Sequence, residues 1–200
     1  MFEYHIMQMA DGGLPTGGFA FSQGLEAAAV LGVATEDSLE SYLVGLLEQA
    51  AGFELPYLND FYRGVDILEE YDATFLTEAQ YKASLSQGRA LARLWNWEAP
   101  DPPHYLALLG IGLAQEEWTL ESVQRLYLHT LLRDQLSAAV RLSLTGPIHA
   151  NRMQKNLYRA AERVRLLYLH STHEEAARCS PVLDIAQGAH SRLYTKLFQN

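Results

Sequence analysis

Thiols are nearly absent from this chain: Cys179 is the single cysteine among 200 residues. That excludes an internal disulfide and fits a reducing compartment. Long apolar runs are missing too, none approaching the ~20 residues a membrane-crossing helix needs. The opening stretch MFEYHIMQMADGG holds acids and no basic cluster, so neither a secretory signal nor a transit peptide is expected, and the expected location is cytoplasmic. Positive charge is scarce. With a formal net charge of −9, the chain lacks the basic surface that phosphate backbones demand, and a nucleic-acid partner is not expected. Strand signals are scarce as well: there is no sustained alternation of β-branched residues, and the one Asp-Gly pair, Asp11-Gly12, opens a glycine-rich stretch instead of a hairpin.

What is present is helical periodicity. Hydrophobic residues make up 48% and charged residues 20%, the balance of a globular protein long enough for a substantial single core. Ser22 is placed to cap a helix through Ala29, and Thr35 to head one in which Leu39, Tyr42, Leu43, Leu46 and Leu47 form an apolar stripe. Pro56 fits the first turn of a further helix carrying Leu58, Phe61 and Tyr62. Thr77 precedes another helical run, and Thr119 caps the longest, whose leucines fall on several faces as in a helix at the centre of a bundle. APDPPHY at 99–105 breaks the pattern and reads as an inter-helix loop; Gly146-Pro147 is read as the stop of the long helix. A basic stripe, Arg152, Lys155, Arg159 and Arg163, marks the next helix, and the tail from Pro181 keeps helical character with Leu193, Leu197 and Phe198 as apolar points. The expectation is an all-α, single-domain helical bundle over residues 1–200.

Charge is unevenly spread. Residues 1–100 hold 4 basic against 15 acidic side chains (−11), and residues 101–200 hold 11 against 9 (+2). Such a chain meets partners of different sign, pairs its own halves, or wears solvated faces.

The candidate motifs each have a plain alternative. GGLPTGGFAFSQGLE (Gly12 to Glu26) lacks the Lys-Ser/Thr that a P-loop places after its glycines, and no strand precedes it as a dinucleotide site requires. Its glycines at 12, 13, 17 and 18 permit positive φ and close backbone approach, with Pro15 stiffening the turn. Phe19 and Phe21 beside it suit either a docking surface or the core. His5, Met7 and Met9 form H-x-M-x-M, a soft donor set that cannot converge if the segment is helical. His170 and His173, with Glu174 adjacent, make at most half a metal site; surface histidines are the expectation. Cys179 is expected to be buried. Ala20 stands where a nucleophile elbow needs glycine, so no catalytic constellation emerges around Ser22. Arg133 and Asp134 lie in a very apolar helix and read as an internal ion pair, while Arg133 or Arg141 facing a partner stays open.

Three stretches taken together resemble the UreF family of urease accessory proteins: LPTGGFAFSQGLEAA (Leu14 to Ala28), RDQLSAAVRLSLTGP (Arg133 to Pro147) and SPVLDIAQGAHSRLYTKLFQN (Ser180 to Asn200). The resemblance implies an all-α fold with no catalytic chemistry of its own, and a part in regulating a GTPase or in the path by which nickel passes on; no cofactor and no metal-ligating residue is expected from the sequence. The resemblance also implies a cytosolic, dimerising protein that acts with a UreD- or UreH-type accessory protein and the UreG GTPase to load nickel into urease apoprotein. Pro15, Gly17, Gly18, Phe19, Ser22, Gly24, Leu25 and Glu26 fall on the family's first signature. Ser137, Ala138, Ala139, Arg141, Leu142 and Gly146 fall on the central one, and Leu183, Asp184, His190, Tyr194, Leu197 and Phe198 on the last. From these, Pro15, Gly17, Gly18, Phe19, Ser22, Glu26, Arg141, Asp184, His190, Tyr194, Leu197 and Phe198 are the expected partner-binding residues. Three departures stand out: Phe21 where many members carry His or Tyr, Gly146-Pro147 in place of Gly-Gln, and Phe198-Gln199-Asn200 in place of Phe-Arg-Ser. The glycine-rich segment (about 1–24) and the tail (about 180–200) are expected to order on binding a partner. An alternative role is a helical activator of the GTPase that supplies an arginine, Arg141 or one of Arg152, Arg159 and Arg163.

Overall fold

The computed structural model describes residues 2–199; Met1 and Asn200, the outer ends of the two terminal segments, lie outside the described residues. Helices α1 (Phe2–Met9), α2 (Leu25–Val30), α3 (Leu39–Gln49), α4 (Leu55–Arg63), α5 (Leu68–Asp72), α6 (Glu78–Trp95), α7 (Tyr105–Gln115), α8 (Leu120–Arg141), α9 (Pro147–Leu167) and α10 (Pro181–Ala189) follow in order. No strand occurs among the described residues, so the all-α expectation holds.

Thr77 and Thr119 act as expected, their hydroxyl oxygens accepting from the Gln80 and Ser122 amides at the starts of α6 and α8. α8 buries Val123, Leu128, Leu132, Leu136 and Ala139 and packs on α2, α3, α4, α7 and α9, the position its all-round apolar surface predicts. One continuous hydrophobic core results.

Several boundaries differ from expectation. Ser38, not Thr35, is the N-cap of α3; Thr35 and Ser38 exchange bonds between each amide and the other's hydroxyl in the turn before it. Pro56 lies in the first turn of α4 as expected, but α4 is not a separate helix: it continues α3 through a π-helical turn, Ala50–Glu54. The wider π turn relieves the clash that proline makes with an α-helical carbonyl. Gly146 and Pro147 do not stop α8, which ends at Arg141; they are the N-cap and first residue of α9. Proline is well placed there, because the first helical amide has no partner to lose. α5 is too short to show a helical period in the sequence.

The 99–105 loop is bolted down. His104 is buried, its Nε2 2.8 Å from Asp72 Oδ1 and its Nδ1 3.1 Å from Ser84 Oγ. A Cβ on Gly88 would overlap the Pro103 carbonyl oxygen, so α6 can close onto this loop only through a glycine. A buried polar network fixes the other side: Asn59 donates to the Tyr168 and Ser171 carbonyls at 3.0 and 2.9 Å. Gln124 donates to Asn59 Oδ1 at 2.6 Å. Arg165 donates to Gln124 Oε1 at 3.2 Å and, through two nitrogens, to the Glu162 carboxylate.

Candidate functional site

The three signature stretches, the first of them more than a hundred residues ahead of the other two, meet in one place. The glycine segment enters along α8, where Arg133 Nη1 donates to the carbonyls of Ala10 and Asp11 at 2.9 and 2.8 Å. Positive φ falls at Gly17 (79°) and Gly24 (90°), not at Gly12 or Gly13. Gly18 opens a short 3-10 turn whose close neighbour is the Asp134 carboxylate; a Cβ there would lie 2.6 Å from Asp134 Oδ2. Gly24, rather than Ser22, is the N-cap of α2. Ser22 is buried: its hydroxyl accepts from the Glu26 amide at 3.4 Å, and its carbonyl from Gln135 Nε2 at 2.9 Å. Gly24 is also where α2 meets α10, since a side chain would strike the Gln187 backbone nitrogen at 2.8 Å.

This places Glu26, buried in the first turn of α2, beneath the tail. After α10 the chain makes a 3-10 turn, His190–Arg192, and then runs non-helically to Gln199, so Leu193, Leu197 and Phe198 are not points on a helix. The Glu26 carboxylate accepts from His190 Nε2 at 2.8 Å, from the Leu197 amide at 2.6 Å and from the Phe198 amide at 3.3 Å. One buried side chain thereby satisfies the polar backbone of an otherwise irregular tail. The Gln199 amide closes the loop on the Ala20 carbonyl at 2.9 Å. At the end of α8, Arg141 donates to the Phe19 carbonyl at 2.6 Å and lays its guanidinium 4.2 Å from the centre of the buried Phe198 ring. Asp184 anchors α10 on the far side, accepting from Arg178 at 2.9 Å and from Gln49 at 3.1 Å.

The expected site residues therefore divide in two. Gly18, Ser22, Glu26, His190 and Phe198 are buried and hold the clasp together; Gly17 and Asp184 are half-buried within it. Pro15, Phe19, Arg141, Tyr194 and Leu197 remain on its outside, with Phe19 59%, Tyr194 102% and Leu197 53% exposed. Of the two phenylalanines, Phe19 faces solvent and Phe21 enters the core. Gln135 and Gln187 also belong to the clasp. Both lie inside the quoted stretches, but a glutamine on a helix carries no signal that distinguishes a buried donor from a solvated one.

The metal candidates do not assemble. α1 is helical, Met9 is buried while Met7 faces solvent, and His5 packs edge-on against Trp95 and Trp118 with Nδ1 3.1 Å from Glu116. His173 is not a free surface histidine: its ring and its amide both contact Asp60 Oδ2, at 2.7 and 2.8 Å. His170 precedes the short 3-10 turn that carries His173, so the two share no helix face. No group of three His, Cys, Asp or Glu residues suited to a metal occurs among the described residues. Cys179 is exposed, contrary to expectation. Arg133 and Asp134 do form the expected ion pair, at 2.8 Å. Arg152, Lys155, Arg159 and Arg163 lie exposed along α9. Among the described residues, no helix is long and apolar enough to cross a membrane.

Comparison with known proteins identifies the family. The family model described as UreF matches residues 33–158. The chain is 33% identical to "Urease accessory protein F" of Arabidopsis thaliana, over 96% of this chain and 90% of that protein. It is 27% identical to "Urease accessory protein UreF" of Teredinibacter turnerae, over 98% of this chain and 97% of the relative. These relatives extend the match beyond 33–158, across the glycine segment and the tail that close on Glu26. The chain belongs to the UreF family of urease accessory proteins.

Proposed function

We propose that this protein is a non-catalytic adaptor of the cytoplasm that bridges a UreD- or UreH-type accessory protein and the UreG GTPase during nickel insertion into urease apoprotein, working as a homodimer within that assembly. The observation that carries the reading is the division of the clasp. Its buried half is spent on internal bonds, while Phe19, Tyr194 and Leu197 hold apolar surface in water, Phe19 beside the exposed Arg141. Large side chains kept exposed on a well-fixed frame are typical of docking sites. The UreD-type protein is assigned to this face, and its binding adds order to residues 1–24 and 180–200. The acidic first half and the basic stripe of α9 offer surfaces of opposite sign for further partners.

The second reading, an activator supplying an arginine to the GTPase, is favoured by the exposed α9 stripe and not by Arg141, whose guanidinium is engaged by the Phe19 carbonyl and the Phe198 ring. Mixing the purified protein with a UreD-type protein and a UreG-type GTPase, isolating subcomplexes and measuring single-turnover GTP hydrolysis tests both. The adaptor reading expects a complex containing all three proteins and a hydrolysis rate unchanged by Arg152→Ala or Arg159→Ala. Failure to recover the three-protein complex contradicts it, and a large loss of rate in an arginine variant establishes the activator instead.

A further inference from the structure

A chamber of about 150 Å³ lies between α5, α6, α8, α10 and the π turn. Its size is that of a benzene-like molecule or a handful of waters. Aromatic rings form much of the wall, among them Tyr71, Phe75 and Tyr127. Three polar atoms on its lining residues are buried without a hydrogen-bond partner: Glu54 Oε2, Gln80 Oε1 and Gln187 Oε1. All three are acceptors. Buried acceptors normally find donors, so three on residues lining one cavity set the chemistry of what it can hold.

The charges around the chamber narrow the choice. Arg178 is engaged by Asp184 and the Thr74 carbonyl, and Asp134 is paired with Arg133. No ion pair to Glu54 is found among the described residues. Glu54 also terminates the π turn, an irregularity that recurs at functional sites. Its carboxyl is pushed up to about 7, chiefly by burial, against a lowering by Arg178. The chamber that Glu54 lines also holds aromatic rings and the two glutamine side chains, and its one lining arginine, Arg178, is already taken up by Asp184 and the Thr74 carbonyl, a setting that suits an organic cation better than a metal ion.

We propose that this chamber binds a small primary ammonium compound, its three N–H donors directed to the oxygens of Glu54, Gln80 and Gln187 and its short alkyl chain against the tyrosine and phenylalanine walls. A primary ammonium has three donors and no acceptor, matching three orphan acceptors. Because Gln187 on α10 and Gln23 next to Gly24 both line the chamber, occupancy also braces the clasp. The inference is independent of which protein docks on the clasp's outer face.

Calorimetric titration of the full chain with propylammonium chloride tests it, with 1-propanol, tetramethylammonium and nickel chloride titrated in parallel. Saturable binding of propylammonium alone is expected, weakened about tenfold or more in Glu54→Gln, which keeps size and shape. Between pH 8 and pH 6 the affinity is expected to fall about tenfold, as Glu54 takes up its proton near 7 while the amine stays charged. Equal binding of propanol or tetramethylammonium, binding of nickel in place of the amine, unchanged affinity in Glu54→Gln, or no saturable heat at pH 8 overturns the proposal.

Discussion

Replacing Glu26 by alanine is expected to free the tail and destabilise the protein by about 3–5 kcal/mol, the range for removing one member of a buried charged hydrogen-bond group. The carboxylate receives His190 and the amides of Leu197 and Phe198, three donors that alanine cannot satisfy. Each donor left buried and unpaired adds about 1–3 kcal/mol, so the chain relaxes by letting the tail go. Local opening of a terminal segment then limits how much of the loss the global transition reports. Hydrogen exchange at the Leu197 and Phe198 amides is the direct readout, and urea unfolding the second. Full retention of protection at both amides, with a stability change under about 0.5 kcal/mol, would show that the tail is held by something other than Glu26.

Arg165→Ala carries the second large effect. The side chain is 1% exposed, with its guanidinium shared between Glu162 and Gln124. Truncation opens a cavity and orphans the Gln124 oxygen, loosening the side chain whose Nε2 donates to Asn59 Oδ1 and to the Leu169 carbonyl after α9. A loss of about 3–5 kcal/mol follows. It comes with a change in acid sensitivity. Glu162 is held down to about 2 by hydrogen bonds from Arg165 and then Arg125. A carboxyl depressed in the folded state contributes stability that is present above its unfolded value near 4.5 and is lost as pH falls towards 2. In the variant only Arg125 remains, so stability is expected to fall less steeply across that window than in the parent protein. Urea unfolding at pH 7, 4 and 3 reads both effects. A parallel pH dependence in the two proteins would mean that Arg165 does not set the Glu162 titration.

Much of this architecture was legible in the residues. The Thr77 and Thr119 caps and the many-faced apolar pattern of α8 are local signals, and local signals survive folding. The rod of α3 and α4 was not legible, because a proline reads as the start of a helix and the π turn that lets the rod run on through Pro56 has no sequence code of its own. The network of Asn59, Gln124 and Arg165 was missed for a related reason: single polar side chains on amphipathic helices look solvated until tertiary contacts bury them. As for the clasp, the signature stretches marked its parts. Their meeting rests on bonds such as Glu26 to Leu197 that span most of the chain and leave no periodicity to detect. Phe19 and Phe21, two residues apart and alike in chemistry, went to solvent and to core, a choice made by the turn at Gly18.

The division of the clasp into a buried fastening and an exposed docking face is tested most directly by the double variant Phe19→Ala/Tyr194→Ala. Both side chains point outward, so circular dichroism and the urea midpoint are expected to match the parent, with stability within about 0.5 kcal/mol. Affinity for a UreD-type partner, measured by titration calorimetry, is expected to drop at least about tenfold, as for loss of central aromatic anchors. Partner affinity equal to that of the parent protein, in a variant that remains folded, would contradict the assignment of this face.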